Sequence, residues 1–459
     1  MYTFSSKLKT FSIALVILGA LGMAYGFFTA PKTTDEIKEM MQHAESSHEA
    51  TVAEHATAST HEAVTNEHKA EGEHTTDTHD AHAAEHHLEH MLMQAQNRPW
   101  AAMYVAMIFF LLISVCVLVF YAMQRAASAG WSPVLFRVME GLTAYIVPGS
   151  ILILLFLIYS SVGHGNHLFA WMYTSIDPTA ENYDFAMVTK DWWLNIPGWL
   201  IRSVIYVSIW IGFRHLILKN SRAQDEATDT KHFMKSFNYS VLFLALFLLS
   251  ELFMAFDWLM AIDHHWFSQL YPFYVFSSML VTAITIIALV TVYLKSRGFL
   301  PNVNDSHIHD LGKYMFGFSI FWAYLWFDQF MLQWYANIPE EVVYFMPRLL
   351  GEYQPLFIGM VFLNFTFPLL LLMNKTYKNK PWFLGITGLA IIVGHYIDVF
   401  VMIAPGTVGN ELHFGIPEIG AILFFLGLFI FFTFNALTKA PLHAKGNPFM
   451  KESEVYQYH

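Results

Sequence analysis

The sequence predicts an all-α, multi-pass membrane protein of about ten transmembrane helices. Of its 459 residues, 55% are hydrophobic and 13% are charged, which is about half the charged share of a soluble domain. Continuous apolar runs of about 20 residues, the length that crosses the hydrocarbon core, recur along the chain and are too long for strands. The predicted spans are 9–29, 100–123, 135–160, 197–218, 236–261, 266–294, 310–337, 352–373, 382–404 and 418–438.

The first predicted span has two interpretations. Lys7 and Lys9 precede its apolar stretch, which is also the pattern of a secretory signal. The stretch is longer than the usual apolar core of a signal, and Pro31 follows the best small-residue exit. We therefore expect residues 1–30 to be an uncleaved membrane anchor.

Residues 31–97 are a polar segment that contains 11 of the 23 histidines, from His43 to His90. Its apolar content is too low to build a core, so we expect disorder or loose helix. Tracts rich in histidine can bind metal, but the spacing here is irregular. A solvated loop is therefore favoured. The turn Asp263-His264-His265 could bind a cation, yet a hydrogen-bonded turn is the favoured interpretation, so the sequence predicts no metal site.

The basic residues predict the orientation, because Lys and Arg favour the cytoplasmic ends of spans. With the N-terminus inside, 18 of the 25 Lys and Arg residues fall at cytoplasmic ends. The prediction is an inner-membrane protein with both termini in the cytoplasm. Residues 31–97 then form a periplasmic loop, 98–438 form the helical membrane domain, and 439–459 form a cytoplasmic tail.

The residues that bind redox cofactors are scarce. Cys116 is the single cysteine, and the chain has no Cys-x-x-Cys-His sequence, which excludes an iron–sulfur cluster and an attached c-type haem on this chain. Only His395 lies deep in a predicted span, whereas haem b needs two such histidines. We therefore expect this chain to bind no redox cofactor.

Ionisable groups inside a bilayer are costly and signal either function or a contact between helices. His395 and Asp398 are spaced i,i+3 on one helix face and form a pair suited to proton exchange. Tyr324 and Asp328 are spaced i,i+4. The proton-transfer candidates are Glu140, Tyr145, Glu251, Asp257, Asp328, His395 and Asp398. For each, the alternative is a structural contact between packed helices, and Arg202 could instead extend its charge to the interface.

Three segments carry a resemblance to a known family. They are 250–268, which begins SELFMAFDWLM, then 324–341, which begins YLWFDQF, and 411–418, which reads ELHFGIPE. They resemble the NrfD/polysulfide-reductase-like membrane subunits of bacterial alternative complex III, a quinol:cytochrome c oxidoreductase. The resemblance covers about residues 98–438.

This resemblance implies two four-helix bundles, formed by spans two to five and six to nine, with the first and last spans at the periphery. It implies that haem c and iron–sulfur clusters lie on partner subunits. Those partners would be a homologous ActC-like membrane subunit, an iron–sulfur/molybdopterin-like subunit and c-type cytochromes, with a terminal oxidase left open as a further partner. The N-terminal anchor and short C-terminal tail are more similar to ActF-like subunits, which the family implies to scaffold the complex and to offer proton half-channels.

Three functional hypotheses follow. In the first, the chain is an ActF-like subunit that transfers protons, and Asp328→Asn impairs proton movement but not assembly. In the second, the chain binds quinol in the same complex through His395, Asp398 and Arg202, because quinol oxidation needs a proton acceptor. In the third, it is a stand-alone secondary transporter, for which Pro148-Gly149 is one helix break without a match in a second half. None of the three involves nucleic acid.

Overall fold

The computed structural model describes residues 2–42, 77–163, 165–180, 182–378 and 380–457, with only the backbone described for 77–84 and 86. The described part of the chain is 77% helix, and these ranges contain no β-strand. The long helices are α1 (Ser6–Thr29), α2 (Asp77–Ala126), α3 (Pro133–Val162), α4 (Ile196–Ala223), α5 (Lys231–Ile262), α6 (Tyr271–Ser296), α7 (Asp305–Ala336), α8 (Gln354–Leu372), α9 (Pro381–Thr407) and α10 (Ile416–Leu437). Shorter helices are Phe185–Lys190, Pro339–Val342, Met346–Leu349, Lys375–Lys378 and Met450–Glu454.

Nine helices in the described ranges are long and apolar enough to cross a membrane, so the chain is a multi-pass membrane protein. The exception among the ten long helices is α7, which corresponds to the predicted span 310–337. It is a continuous helix of 32 residues, but Asp328, Gln329 and Gln333 reduce its apolar character. The prediction of about ten transmembrane helices is therefore confirmed for nine of them by length and composition.

The polar segment 31–97, for which we expected disorder or loose helix, is in part helical. Residues 34–42 are helical, and α2 begins at Asp77, well before the predicted start at 100. The predicted disordered loop 31–97 thus contains helix at both of its described ends. Residues 43–76, with six of the histidines of that loop, lie outside the described residues.

Helix α2 occupies the centre of the molecule. Within its most apolar stretch, 94% of the residues are buried, and it contacts α3, α5, α6, α9 and α10. A helix that is hydrophobic on all sides is stable only where other elements surround it. The long unbroken apolar run from Ala101 to Ala122 therefore explains why this helix forms the core.

Helices α2–α9 pack in two sets of four, and the contacts within each set form a closed ring. In the first set, α2 contacts α3 and α5, while α4 contacts both α3 and α5. In the second set, α6 contacts α7 and α9, while α8 contacts both α7 and α9. Contacts of α2 with α6 and α9 join the two sets. Polar side chains that face inward in either set are thereby removed from lipid.

Two helices contain a π-helical turn that the sequence analysis did not predict. One is Ala255–Leu259 in α5, and the other is Phe362–Thr366 in α8. Such turns disturb the regular backbone ladder and are frequent at functional sites. They contain Asp257 and Asn364, whose side chains are both fully buried. The sequence analysis placed a helix break at Pro148-Gly149. The structure has a 3₁₀ turn within α3 at Thr143–Tyr145, just before this position.

Helix α1 packs along α10 through glycines. A Cβ atom added to Gly420 would lie 2.7 Å from the carbonyl carbon of Gly22 and 2.7 Å from the amide nitrogen of Met23. Close approach of two backbones through small residues is a common basis of helix association in membranes. The glycines therefore hold α1 against α10.

We expect Gly420→Leu to lower the free energy of unfolding by about 1–3 kcal/mol, because the added side chain overpacks this contact. The measurement is unfolding of the detergent-solubilised protein by denaturant. Gly212→Leu on α4 is the matched control, because nothing lies within 4 Å of a Cβ added there. Equal losses in both variants would contradict a specific α1–α10 contact.

Candidate functional site

The second helix set encloses a buried carboxylate. Asp398 on α9 is fully buried, and its Oδ2 accepts hydrogen bonds from Ser278 Oγ at 2.7 Å and from Trp322 Nε1 at 3.0 Å. The hydroxyl of Tyr274 donates to Oδ1. No Lys or Arg in the described ranges forms an ion pair with this carboxylate. Its one partner that can carry a positive charge is His395, whose Nδ1 lies 3.4 Å from Oδ2.

The imidazole of His395 has a polar contact on one nitrogen only. Nδ1 lies 2.9 Å from Ser278 Oγ and 3.2 Å from Asn364 Nδ2, while the buried Nε2 has no hydrogen-bond partner. The role of Nδ1 depends on the tautomer of the ring: it accepts from the Asn364 amide when the proton is on Nε2, and it donates to Ser278 or Asp398 when it carries the proton itself. Rotation of this amide would present Oδ1, which is also unpartnered, to a protonated Nδ1. The unpartnered amide oxygen can therefore accept from a protonated Nδ1, whereas Nε2 has no partner among the described residues in either charge state.

A cavity of about 460 Å³ lies near this network, although neither His395 nor Asp398 is among the residues that line it. Its lining includes Tyr271, Tyr344 and Arg348, and both tyrosines interact electrostatically with Asp398. The guanidinium of Arg348 donates to the carbonyl oxygens of Val401 at 3.0 Å and Met402 at 3.2 Å. The arginine is therefore held at the cavity wall.

The first helix set contains a carboxylate of a different kind. Asp257 forms a two-pronged pair with Arg202, with Nε 2.7 Å from Oδ2 and Nη2 2.9 Å from Oδ1. Trp193 Nε1 and the Tyr206 hydroxyl each donate to it at 2.8 Å. Four hydrogen-bond donors, two of them on the charged guanidinium of Arg202, hold the carboxylate in one geometry. Arg202 therefore contacts Asp257 and not the His395–Asp398 pair with which the quinol hypothesis grouped it.

Glu140 also has a permanent cationic partner. Its Oε2 lies 2.6 Å from Arg137 Nη1, and its Oε1 accepts from the Tyr121 hydroxyl at 2.8 Å and from Ser221 Oγ at 2.6 Å. Tyr145, which the sequence analysis considered together with Glu140, is not in this network, because its buried hydroxyl has no hydrogen-bond partner. This cluster has the features of a structural contact between helices.

The two remaining candidates are isolated. Glu251 is buried, and its Oε1 has no hydrogen-bond partner; its electrostatic neighbour is Cys116 on α2. Asp328 is half-buried and forms no hydrogen bond or ion pair with any described residue, and Tyr324 on the same helix face is exposed. The structure therefore joins neither residue to the His395–Asp398 pair.

The sequence analysis missed four residues that complete the central network, namely Tyr274, Ser278, Trp322 and Asn364. A signal was present for three of them. Tyr274 and Ser278 are spaced i,i+4 on one face of α6, and Asn364 is an isolated amide within an apolar run. Trp322 carried no such signal, because tryptophan is common in membrane helices.

A second polar cluster lies outside the helices that could cross the membrane. Asp184 Oδ2 lies 2.6 Å from His264 Nε2 and 3.3 Å from His265 Nε2. Burial lowers the pKa of His264, although the hydrogen bond with Asp184 opposes this shift. Burial acts to raise the pKa of Asp184, but hydrogen bonds from His264 and the Ala186 amide hold that pKa below its usual value. The sequence analysis had considered Asp263 as the carboxylate of this turn, and the structure instead places Asp184 there.

We also compared the chain with known proteins. No protein-family model matches it, and no curated protein matches it.

Proposed function

We propose that this chain is an ActF-like, NrfD-type membrane subunit of a respiratory quinol:cytochrome c oxidoreductase, alternative complex III, in which His395 and Asp398 transfer protons. The observation that carries the proposal is a fully buried carboxylate whose only cationic partner among the described residues is an imidazole. An imidazole can gain and lose a proton near neutral pH, whereas a guanidinium cannot.

The contrast with the other buried carboxylates supports this role. Asp257 and Glu140 each contact an arginine, and protonation of either would leave a buried guanidinium without its counter-charge. Protonation of Asp398 leaves no such charge when His395 is neutral. Of the carboxylate networks described here, this pair is therefore the one that can change its protonation state at the lowest energetic cost.

The cavity supports a route for the proton. Water in a 460 Å³ space that reaches Tyr271 and Tyr344 could exchange protons through the tyrosine hydroxyls and Tyr274 with Asp398. The Tyr271 and Tyr274 rings are neighbours, with centroids 6.2 Å apart. We propose that the transfer continues from Asp398 to His395, whose Nε2 faces away from the carboxylate without a partner.

The two closed sets of helix contacts support the bundle arrangement that the family implies. We propose that α2–α5 and α6–α9 are the two four-helix bundles, with α1 and α10 outside them. Both termini would then lie in the cytoplasm of a bacterial cell, with the cavity beside Tyr271 on the periplasmic side. Haem c and iron–sulfur clusters would lie on partner subunits.

The test of complex membership is a mild-detergent purification of the tagged chain from its native membrane, with an absorption spectrum and mass spectrometry of the copurifying proteins. We expect a c-type haem spectrum, an iron–sulfur subunit and a second, homologous membrane subunit. A colourless chain without partners would contradict the proposal and favour a stand-alone transporter.

One observation favours a second function, which is quinol binding in the same cavity. A volume of 460 Å³ is in the range of small-molecule sites, and Tyr271 and Arg348 supply polar groups on an otherwise largely apolar wall. A photoreactive quinone should then label residues that line this cavity in the intact complex. Labelling confined to a partner subunit would exclude this second function for the present chain.

A further inference from the structure

We propose that Asp184, His264 and His265 form a binding site for a divalent transition-metal ion of the Zn²⁺ type. The site lies in the connections that follow α3 and α5, outside the membrane-crossing helices. It is separate from the proton-transfer pair and does not depend on the function proposed above. Two imidazoles and one carboxylate are a recurrent ligand set for zinc sites that keep one position open.

The donor atoms are spaced as such a site requires. One ring nitrogen of each histidine and one carboxylate oxygen of Asp184 all lie within 4.8 Å of one another. Tetrahedral coordination with bonds of about 2.0–2.1 Å places neighbouring donors about 3.3 Å apart. His265 Nε2 is 3.3 Å from Asp184 Oδ2. His264 Nε2 lies 2.6 Å from the same oxygen. A bound ion would replace the proton that His264 and Asp184 share and would increase this distance by about 0.7 Å.

Hydrogen bonds outside the donor set hold two of the three ligands in place. Asp184 is the N-cap of the helix Phe185–Lys190, where its Oδ1 accepts the Ala186 amide at 2.9 Å. This leaves Oδ2 directed at the histidines. The Lys190 ammonium donates to the carbonyl oxygen of His264 and fixes the turn. Such supporting contacts orient ligands and raise metal affinity.

The electrostatic balance also permits a cation here. Lys190 brings a positive charge close to the turn, but Asp184 and Asp263 both interact with it electrostatically. The two negative charges of these carboxylates therefore balance the positive charge of Lys190 and one of the two positive charges of the ion. His264 is buried and His265 is exposed. An ion held between them would face solvent on one side, where water or a ligand from a partner could complete its coordination.

The competing interpretation is a turn that is held by hydrogen bonds alone, as the sequence analysis favoured. In that case His264 and Asp184 share a proton and His265 contributes little. The two interpretations differ in the role of His265, since its loss removes a ligand in the first and only an exposed side chain in the second.

The test is a Co²⁺ titration of the full-length chain, followed by visible absorption, with displacement of Co²⁺ by Zn²⁺. The eleven histidines from His43 to His90 are first replaced with Gln, because they could bind metal themselves. His265→Gln removes one ligand. His413→Gln is the matched control, because His413 is also partly exposed and lies 3.6 Å from a carboxylate oxygen, that of Glu411.

We expect one tightly bound Co²⁺ per chain in the parent and in His413→Gln, displaced by Zn²⁺ but not by Mg²⁺, which prefers oxygen ligands. His265→Gln should bind at least about 100-fold more weakly, since even the loss of a supporting contact costs 10–100-fold. Equal binding by the parent and His265→Gln, or no binding by the parent, would overturn the proposal. When the histidines from His43 to His90 are left in place, the chain with an intact site should bind one more Zn²⁺ than the same chain carrying His265→Gln.

Discussion

Asp398→Asn is expected to lower proton transfer through this chain by at least about 100-fold, the usual lower range for loss of a positioned acid–base group. Asparagine keeps the size of the side chain and can still accept from Ser278 or Tyr274, but it cannot carry a proton at neutral pH. The measurement uses the complete complex in liposomes. The pH change per electron passed to cytochrome c is followed by a pH indicator, while cytochrome c reduction is followed separately.

Two further variants make this experiment decisive. Asp305→Asn is the control for the chemical change, because Asp305 is exposed and pairs only with Lys295, and it should behave like the parent. Asp328→Asn distinguishes two expectations. The sequence analysis expects it to impair proton movement, whereas the structure, in which Asp328 has no described partner, predicts that proton movement is unchanged. An unchanged pH signal in Asp398→Asn, with normal electron transfer, would remove the His395–Asp398 pair from the route.

Arg202→Ala should cause the largest loss of stability, about 3–5 kcal/mol in the free energy of unfolding. The substitution leaves the fully buried Asp257 carboxylate without its charged partner and removes the cation–π contact with Trp193, whose ring centroid lies 4.1 Å from the guanidinium carbon. The Trp193 and Tyr206 hydrogen bonds remain, but they do not neutralise the charge. Denaturant-induced unfolding in detergent measures the effect.

The matched control is Arg222→Ala. Arg222 is 42% exposed and lies 4.0 Å from Glu140, so its loss should cost less than about 1 kcal/mol. The double variant Arg202→Met/Asp257→Leu should recover most of the stability lost in Arg202→Ala, because it buries no unpaired charge. If Arg202→Ala were no less stable than Arg222→Ala, the pair would not have the structural role assigned to it.

Helix positions could be predicted because each depends on a local property, the length of an apolar run. The exception, α7, has polar groups such as Gln329 and Gln333 that face inward and are buried. Its length and periodicity predicted a helix, whereas composition alone could not show what shields those groups. The packing of α2 against six other long helices, α1 included, was also beyond a prediction that treats spans one at a time.

The polar residues of the candidate site were identified one by one, but their partners were not. His395 and Asp398 share a face because they lie three residues apart on one helix. Their contacts with Ser278 and Asn364 depend on how separate helices meet, and no spacing in the chain encodes this. The Asp257–Arg202 pair shows the same limit, because the π-helical turn at Ala255–Leu259 changes which side chains face α4.

The pairing of Arg202 with Asp257 has a consequence for how the chain enters the membrane during its synthesis. α4 is the least apolar of the nine candidate spans. Arg202, in the first third of the helix Ile196–Ala223, adds to the cost of insertion because a charged side chain is expensive inside the bilayer. The partner carboxylate is on the very next helix, after the short connection 224–230. Insertion of α4 and α5 together, as a helical hairpin in which Arg202 and Asp257 neutralise each other, therefore avoids exposing either charged group to lipid. Because the two helices are consecutive in the chain, they can pair as soon as α5 leaves the ribosome.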